Sequence, residues 1–244
     1  VSDWRITQIN KLSNIEVYRE SNLVAKDVID LEVDFVMIAT GAKWAEDALG
    51  RHSDIGFETV DKNTIIGAER ILNGEKIDTQ RIVVYDDDHY YIGSVMALEL
   101  AKRGHEVVLV TPAGRACSWG EYTDEQVPSN LALYDAGVKV ITNKTIINVS
   151  QGKAEAKCIY SAESQIIECD SIIPLTRRIP VLDLYNSLTI LTENNNKTSI
   201  IKIGDADAPS HIAAAIYSGY RSAVECGEKF SSSEFYGRRE NELI

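Results

Sequence analysis

The sequence has few cysteines and prolines and no long apolar run. Only 4 of its 244 residues are cysteine and 5 are proline. No stretch reaches the roughly 18 consecutive apolar residues of a membrane-spanning helix, and no signal-peptide pattern opens the chain. Hydrophobic residues make up 44% of the sequence, which is enough to build a substantial core and argues against extended disorder. We therefore expect a folded, cytoplasmic α/β protein with no membrane partner.

The cysteines lack the close spacing of metal sites. Zinc and iron–sulfur sites usually draw on closely spaced ligands, and this sequence has no CxxC motif. We therefore predict no metal ligand and expect reduced, mostly buried thiols. None of them lies in a nucleophile motif, and no Ser-His-Asp spacing involves any of the four histidines, so no catalytic residue is predicted. The cysteines are Cys117, Cys158, Cys169 and Cys226, and the histidines are His52, His89, His105 and His211.

Basic residues are scarce relative to acidic ones. The chain has 25 Lys and Arg against 37 Asp and Glu, which gives a formal net charge of −12. Nucleic-acid binding needs clustered cations that neutralise phosphates, and anionic membrane surfaces attract the same residues. The charge balance therefore predicts neither partner.

Apolar patterning is clearest in the middle of the chain, where a strand (81–85), a helix (93–103) and a strand (105–110) follow one another. Gly104 stands where a left-handed cap would end the helix. This order is half of a doubly wound fold. The patterning also predicts helices at 2–13, at 127–135 and after Pro209, strands at 15–18, 34–39, 138–142, 170–175 and 199–203, an antiparallel meander within 146–173, and an exposed polar tail beyond Gly227.

The loop between this first strand and helix has lost its glycines. In a Gly-x-Gly-x-x-Gly motif the glycines let a diphosphate approach the backbone at a helix N-terminus. Gly93 occupies the third position, but Asp88 and Tyr90 occupy the first two, and acids 86–88 would repel a diphosphate. The pattern predicts a dinucleotide-type domain that has lost its nicotinamide cofactor. The alternative is a different ligand pocket formed by residues 86–91.

Two small-residue turns follow buried strands near opposite ends of the chain. Thr40-Gly41 follows one strand and Gly204-Asp205 follows another. Small residues there let a cofactor pass close to the backbone, and an Asp can accept hydrogen bonds from ribose or ribityl hydroxyls. We predict these four residues as cofactor-binding. Residues 208–210 open a helix whose N–H groups could face a phosphate, and His211 either packs there or faces the cofactor.

These pieces together resemble the trimethylamine dehydrogenase family, which includes dimethylamine and histamine dehydrogenases. The arrangement is also similar to the 2,4-dienoyl-CoA reductase branch, but that branch needs an intact glycine motif to take hydride from NADPH. The eroded loop therefore favours the amine dehydrogenases. The segments that carry the resemblance are residues 12–18, 34–44, 81–112, 170–180 and 203–220.

The resemblance implies partial glutathione-reductase-like FAD/NAD(P)-binding domains, of the three-layer ββα, Rossmann type. Residues 1–79 plus 181–244 would form an incomplete ADP/FAD-binding domain, and residues 80–180 an inserted NAD-type domain with a degenerate motif. Family members are longer: an FMN-bearing barrel and a 4Fe–4S cluster precede this region. We therefore expect the chain to start just after the first βαβ unit of the ADP/FAD domain. Thr176-Arg177-Arg178 stands where a nucleotide-binding relative often has a Thr-Gly turn.

The resemblance also implies a function. The chain would belong to a flavin-dependent amine oxidoreductase that forms a homodimer and passes electrons to an electron-transfer flavoprotein. It would hold ADP or FAD in a mainly structural role and carry no active site of its own. One alternative is a stand-alone docking module whose acidic loop 86–88 contacts a basic partner. Another is a fragment of an NAD(P)H-dependent reductase.

Overall fold

A computed structural model describes residues 2–192 and 198–226. Within these ranges the helices are α1 (Ser2–Ile9), α2 (Ala25–Asp30), α3 (Ala68–Leu72), α4 (Ile92–Lys102), α5 (Gln126–Asp135), α6 (Asp183–Thr192) and α7 (Ile212–Glu225). The strands are β1 (Phe35–Ile38), β2 (Ala42–Trp44), β3 (Thr59–Val60), β4 (Arg81–Asp86), β5 (Glu106–Val110), β6 (Lys139–Ile141), β7 (Lys144–Ser150), β8 (Lys153–Cys158), β9 (Ser164–Glu168), β10 (Ser171–Leu175), β11 (Arg178–Pro180) and β12 (Ser199–Lys202). None of these helices is both long and apolar enough to traverse a bilayer.

A parallel four-stranded sheet forms the centre of the larger unit. Its strand order is β10-β4-β5-β6, and every neighbouring pair runs parallel. Strands β4 and β10 are apolar almost without interruption because packing covers both faces of the sheet. The chain therefore has the mixed α/β architecture with a parallel sheet that the sequence predicts.

Alternate residues of β4 contact different layers, as the two-residue period of a strand requires. Ile82 and Val84 pack with α4 and α5, where Met96 is one of the fully buried side chains. Val83 and Tyr85 pack instead with a second, mixed sheet, β3-β7-β8-β9. The parallel sheet thus lies between a helical layer and a second sheet.

Residues 59–72 pack with this larger unit. Strand β3 pairs in parallel with β7, and the Ile66 N–H donates to the carbonyl of Ile172 in β10 at 2.9 Å. Ala68 and Ile71 of α3 are buried in the same core as Ile82. The segment that leads into β4 is therefore held by the sheet that β4 belongs to.

A smaller unit joins the two ends of the described chain. Strand β1 pairs in parallel with β12 in the register Phe35↔Ser199 to Ile38↔Lys202. Helices α2 and α6 contribute Val28 and Leu188 to its small core. Strands β2 and β11 form an antiparallel pair that links this unit to the larger one.

Most predicted elements are present, usually with shifts of one or two residues at their ends, and Gly104 has the left-handed φ of +91° that ends α4. The first helix, predicted at 2–13, ends at Ile9 instead. The predicted strand at 15–18 is wrong: this segment pairs with no strand, and Val17 and Tyr18 are 56% and 75% exposed. Its short apolar alternation has no sheet edge to pair with in the described chain. The polar tail predicted beyond Gly227 lies outside the described residues.

All four cysteines lie in the described part of the chain and none is in a disulfide. Cys117 and Cys169 are buried, as predicted, whereas Cys158 and Cys226 are only half-buried.

Candidate functional site

The two small-residue turns lie side by side at one edge of the β1–β12 pair. Ile38 and Lys202 are register partners at the ends of these strands, and the Ile203 N–H donates to the Ile38 carbonyl at 2.9 Å. Parallel strands end on the same edge, so Thr40-Gly41 and Gly204-Asp205 leave the sheet together. Nucleotides bind at such carboxyl edges in open α/β sheets.

The Thr40-Gly41 turn is attached to the segment that returns from β11. The Thr40 hydroxyl donates to the Val181 carbonyl at 2.6 Å, and the Val181 N–H donates to the Gly41 carbonyl at 2.9 Å. Gly41 has φ +77°, a conformation that disfavours side chains, and the position of its missing Cβ has no atom within 4 Å. The turn is fixed in place, and the space beside Gly41 is open.

Asp205 is already engaged by the protein. Its Oδ2 accepts from Arg178 Nη1 at 2.7 Å, and its Oδ1 accepts from the Ser210 N–H at 3.1 Å. The other guanidinium nitrogen, Nη2, donates to the Ser210 carbonyl at 2.9 Å, while the Gly204 N–H donates to Ser218 Oγ at 2.9 Å. A sugar hydroxyl would therefore compete with Arg178 and Ser210 for this carboxylate.

His211 caps helix α7. Its Nδ1 accepts from the Ala214 N–H at 3.1 Å, so it satisfies one of the N–H groups that a phosphate would use. The ring is exposed rather than packed in a core. In the first turn of α7, His211 therefore stands as an acceptor where a phosphate would otherwise bind.

A cleft of about 500 Å³ opens next to these turns, between the two units. Arginines 51, 177 and 178 and the acids Asp54 and Asp88 contribute to its lining. Burial raises the pKa of Asp88, and the positive charges of Arg178 and Arg51 partly oppose that shift. The cleft is therefore lined with charges of both signs.

Asp86 packs inside the loop between β4 and α4, where a glycine motif would stand. Its side chain is fully buried, and its Oδ1 accepts the N–H groups of Asp88 and His89, each at 3.1 Å. A Cβ on Gly93 would lie 2.5 Å from Asp86 Oδ2. Burial raises the pKa of Asp86 to about 7. The residues present in this loop do not fit a dinucleotide diphosphate.

A second buried carboxylate, Asp87, is shared by two histidines. His52 Nδ1 lies 2.7 Å from Asp87 Oδ1, and the His52 backbone N–H donates to Oδ2 at 3.0 Å. His89 Nε2 lies 3.1 Å from the same Oδ1, at an angle that makes no hydrogen bond. Burial by itself raises the pKa of Asp87, but the His89 and His52 groups outweigh it and hold the pKa below its usual range.

The sequence did not predict this cluster of His52, Asp87 and His89. Only the Asp87-x-His89 spacing is local, whereas His52 arrives from a distant loop without regular secondary structure. His89 has φ +69°, an uncommon conformation for a non-glycine residue, and a local pattern gives no sign of it.

The alternative in which the acidic loop 86–88 contacts a basic partner does not hold for two of its three acids. Asp86 and Asp87 have no exposed surface: backbone N–H groups bind Asp86 Oδ1, and His52 binds both oxygens of Asp87. Only Asp88 reaches the cleft. Two of the three acids that the sequence sets against a diphosphate are therefore buried inside the protein.

Comparisons with known proteins relate this chain to oxidoreductases. A family model described as the OYE-like second alpha/beta domain matches residues 66–171. Dimethylamine dehydrogenase of Hyphomicrobium sp. (strain x) is 29% identical over 91% of this chain and 34% of its own length. The structure of 6-hydroxypseudooxynicotine amine oxidase from Pseudomonas geniculata N1 is 29% identical with a TM-score of 0.87, over 93% of this chain and 34% of that one.

The structure of histamine dehydrogenase from Rhizobium sp. 4-9 is 32% identical and superimposes with a TM-score of 0.91, over 100% of this chain and 38% of that one. The chain thus spans 34–38% of these proteins' lengths. The resemblance seen in the sequence is confirmed: the homologues of this chain include dimethylamine dehydrogenase and histamine dehydrogenase, of the trimethylamine dehydrogenase family.

Proposed function

We propose that this chain is the nucleotide-binding-like region of a flavin- and iron–sulfur-dependent amine oxidoreductase, with a mainly structural role. The observation that carries the proposal is the superposition of the whole chain on histamine dehydrogenase. In this proposal the chemistry takes place on FMN and a 4Fe–4S cluster held by a part of the protein other than these 244 residues, and none of the described residues is catalytic.

We propose two incomplete glutathione-reductase-like domains. The β1–β12 pairing supports an ADP/FAD-type domain assembled from both ends of the chain, near 1–79 and 181–244. The pairing of β3 with β7 and the burial of Ile71 against Ile82 support a boundary nearer residue 57 than 79. The inserted domain would then run from about residue 57 to 180.

Unpartnered apolar side chains support a longer protein. Helix α7 has an apolar side but no buried residue, and Ile212 and Val224 are 69% and 58% exposed. Trp4 on α1 is 64% exposed and Phe35 on β1 is 41% exposed. Large apolar surfaces of this kind mark contact sites. In this proposal the remainder of the first domain covers them.

The residues fit an adenine nucleotide only in part. Thr40, Gly41, Gly204 and Asp205 share one strand edge, and the space at Gly41 is open. Asp205, however, is held by Arg178 and Ser210. We propose that ADP or FAD binds at this edge in the complete protein, and that this chain alone binds either one weakly. The inserted domain would bind no NADH, because Asp88 and Tyr90 stand at the first two glycine positions and Asp86 already binds N–H groups of the loop.

The remaining parts of the proposal follow from the family. The complete enzyme would be a cytoplasmic homodimer that passes electrons to an electron-transfer flavoprotein or a similar acceptor. Neither nucleic acid nor a membrane would be a partner, and the net charge of −12 supports the first of these exclusions.

The test compares the complete gene product with the 244-residue chain. The complete product should contain flavin and should reduce an artificial electron acceptor with an amine such as dimethylamine or histamine. The 244-residue chain should not. Amine oxidation by the short chain, or a complete product without flavin, would overturn the proposal.

Titration calorimetry with ADP, FAD and NADH tests the nucleotide part. We expect no heat from NADH and weak binding of ADP or FAD to the 244-residue chain. A micromolar Kd for ADP on that chain would contradict the expected weak affinity. Ready NADH oxidation by the complete product would favour the reductase alternative.

A further inference from the structure

We propose that His52, Asp87 and His89 form a binding site for one divalent transition-metal ion of the zinc class. Each residue offers one ligand atom, and the three atoms lie within 4.8 Å of one another. The two imidazole nitrogens approach the same oxygen, Asp87 Oδ1, at 2.7 and 3.1 Å. A cation placed among them would replace the proton that His52 and Asp87 share in the metal-free protein.

His89 is the observation that points to a ligand. It is 97% buried, since only 3% of its surface is exposed, and neither of its ring nitrogens has a hydrogen-bond partner in the described chain. A buried polar group without a partner costs free energy of folding. Its Nε2 faces the Asp87 carboxylate, so a metal ion at this position would satisfy it.

Among the described residues, the side chains paired with Asp87 are two histidines. The Asp87 side chain has no exposed surface, and no Lys or Arg forms an ion pair with it among the described residues. Burying an ionised carboxylate without compensation is costly, and buried charges are normally paired or coordinate metals. A dication would balance this carboxylate directly.

The surroundings already fix the carboxylate for coordination. The His52 backbone N–H holds Asp87 Oδ2, which leaves Oδ1 to the two imidazoles. Gly50 gives the carboxylate its space, since a Cβ there would overlap Asp87 Oδ2. The Trp119 ring lies 5.9 Å from the His89 ring and packs against it. Such outer contacts orient the ligands of metal sites.

Two imidazole nitrogens and one carboxylate oxygen suit zinc and its neighbours in the first transition row. Three protein ligands leave a fourth position for water. The His52 side chain is 38% exposed and gives solvent access to the site. In the fold, the ion would fasten the loop that carries His52 to the turn between β4 and α4. The ion would therefore stabilise the folded protein.

The experiment uses the 244-residue chain after treatment with a chelator. Zinc is titrated by calorimetry and cobalt by visible absorption, and unfolding temperature is measured with and without zinc. The variants are His52→Gln and Asp87→Asn, with His105→Gln as the matched control. His105 has its own partner, the Thr79 carbonyl at 2.7 Å, and takes no part in the cluster.

We expect one equivalent of zinc to bind and to raise the unfolding temperature. Cobalt should give the visible bands of nitrogen and oxygen ligands without a thiolate charge-transfer band. Losing an outer contact already costs about 10- to 100-fold in metal affinity, so His52→Gln and Asp87→Asn should cost at least that much. His105→Gln should bind like the unsubstituted chain.

Three results would overturn the site: no binding, a thiolate band, which would assign the ion to cysteines, or unchanged affinity in His52→Gln. Because His52 is partly exposed, this variant should fold even where Asp87→Asn does not. Circular dichroism of the metal-free His52→Gln chain checks that its fold is retained.

Discussion

The Asp86 carboxyl group lies directly against Gly93, 2.5 Å from where a Cβ on that glycine would be. In a dinucleotide-binding loop the third glycine allows close packing between helix and strand, and the earlier glycines leave room for the diphosphate. Here Gly93 makes room for an aspartate of the chain itself. The remaining glycine has therefore kept a packing role in a loop that no longer fits the cofactor.

Replacement of Gly93 should destabilise the fold. The added methyl group of Gly93→Ala would meet both Asp86 Oδ2 and Asp86 Cγ in a fully buried region. Overpacking of this kind costs about 1–3 kcal/mol. The control is Gly219→Ala in α7, where the nearest atom would be Ile203 Cδ1 at 4.0 Å and the gain in helix propensity is about 1 kcal/mol. Urea unfolding of both variants measures the difference, and equal stability would contradict this account of Gly93.

Replacement of Arg178 should loosen the strand-end turns. Arg178→Lys cannot reach Asp205 Oδ2 and the Ser210 carbonyl with the same planar fork. We expect a loss of about 1–2 kcal/mol in the free energy of unfolding, because these hydrogen bonds involve charged groups in a half-buried site. The matched control is Arg177→Lys. Its partner Asp47 is 41% exposed, against 25% for Asp205, and the substitution should cost less than about 1 kcal/mol. Equal losses would mean that the Asp205 contact is no stronger than a surface pair.

Lowering the pH should reduce the free energy of unfolding, partly through protonation of Asp170. Hydrogen bonds from the Arg81 side chain and backbone N–H hold the pKa of Asp170 below its usual value. The unfolded chain therefore binds this proton at a higher pH than the folded one does. The stabilisation is complete above about pH 4, the unfolded pKa, and is lost as the pH falls through the lower folded pKa.

Asp170→Asn should remove that part of the acid dependence. Unfolding free energies measured between about pH 6 and pH 3 should fall less steeply for the variant than for the parent chain. At neutral pH the variant should be about 1 kcal/mol less stable, because Asn is a weaker acceptor for Arg81. Glu168→Gln is the control, since Glu168 is 59% exposed and lies 3.3 Å from Arg81. A parent-like slope in Asp170→Asn would contradict the assignment.

The cysteines should differ in reactivity. Hydrogen bonds from the Ser161 side chain and the Tyr160 backbone lower the pKa of Cys158, whereas burial raises the pKa of Cys169 to about 11. The thiolate is the reactive form. Iodoacetamide should therefore label Cys158 well before Cys169 in the folded protein. Peptide mass spectrometry shows which cysteine is labelled first, and Cys158→Ser is the control for the assignment of the labelled peptide. Equal labelling rates at Cys158 and Cys169 would contradict the prediction.

The sequence predicts those parts of the fold that local periodicity determines. The strand at 81–86 is indicated by its continuous apolar run, and the helix at 92–102 by its apolar residues and by Gly104 just after its end. The strands β2 and β11 are three residues each and depend on a partner far along the chain. Nothing local to residues 42–44 indicates that partner.

The sequence predicts the candidate site only at the two turns that follow its strands. Thr40-Gly41 and Gly204-Asp205 follow apolar strands, and the parallel pairing of those strands brings them to one edge. The Arg178 contact to Asp205 depends on the link between the two units, and the His52 contact to Asp87 depends on a loop without periodicity. Sequence patterns alone do not show that Asp205 and Asp87 are already bound by other residues of the chain.

The β1–β12 pairing determines the order in which the two units can fold during synthesis. Residue 35 can pair with residue 199 only after all of the intervening chain has been made, and closing so long a loop is entropically costly. The central sheet draws its strands from residues 81–175 and can form before that. During synthesis the apolar strand 35–38 therefore stays unpaired with β12 while the middle of the protein folds. The folded middle then shortens the effective loop and brings the two ends together.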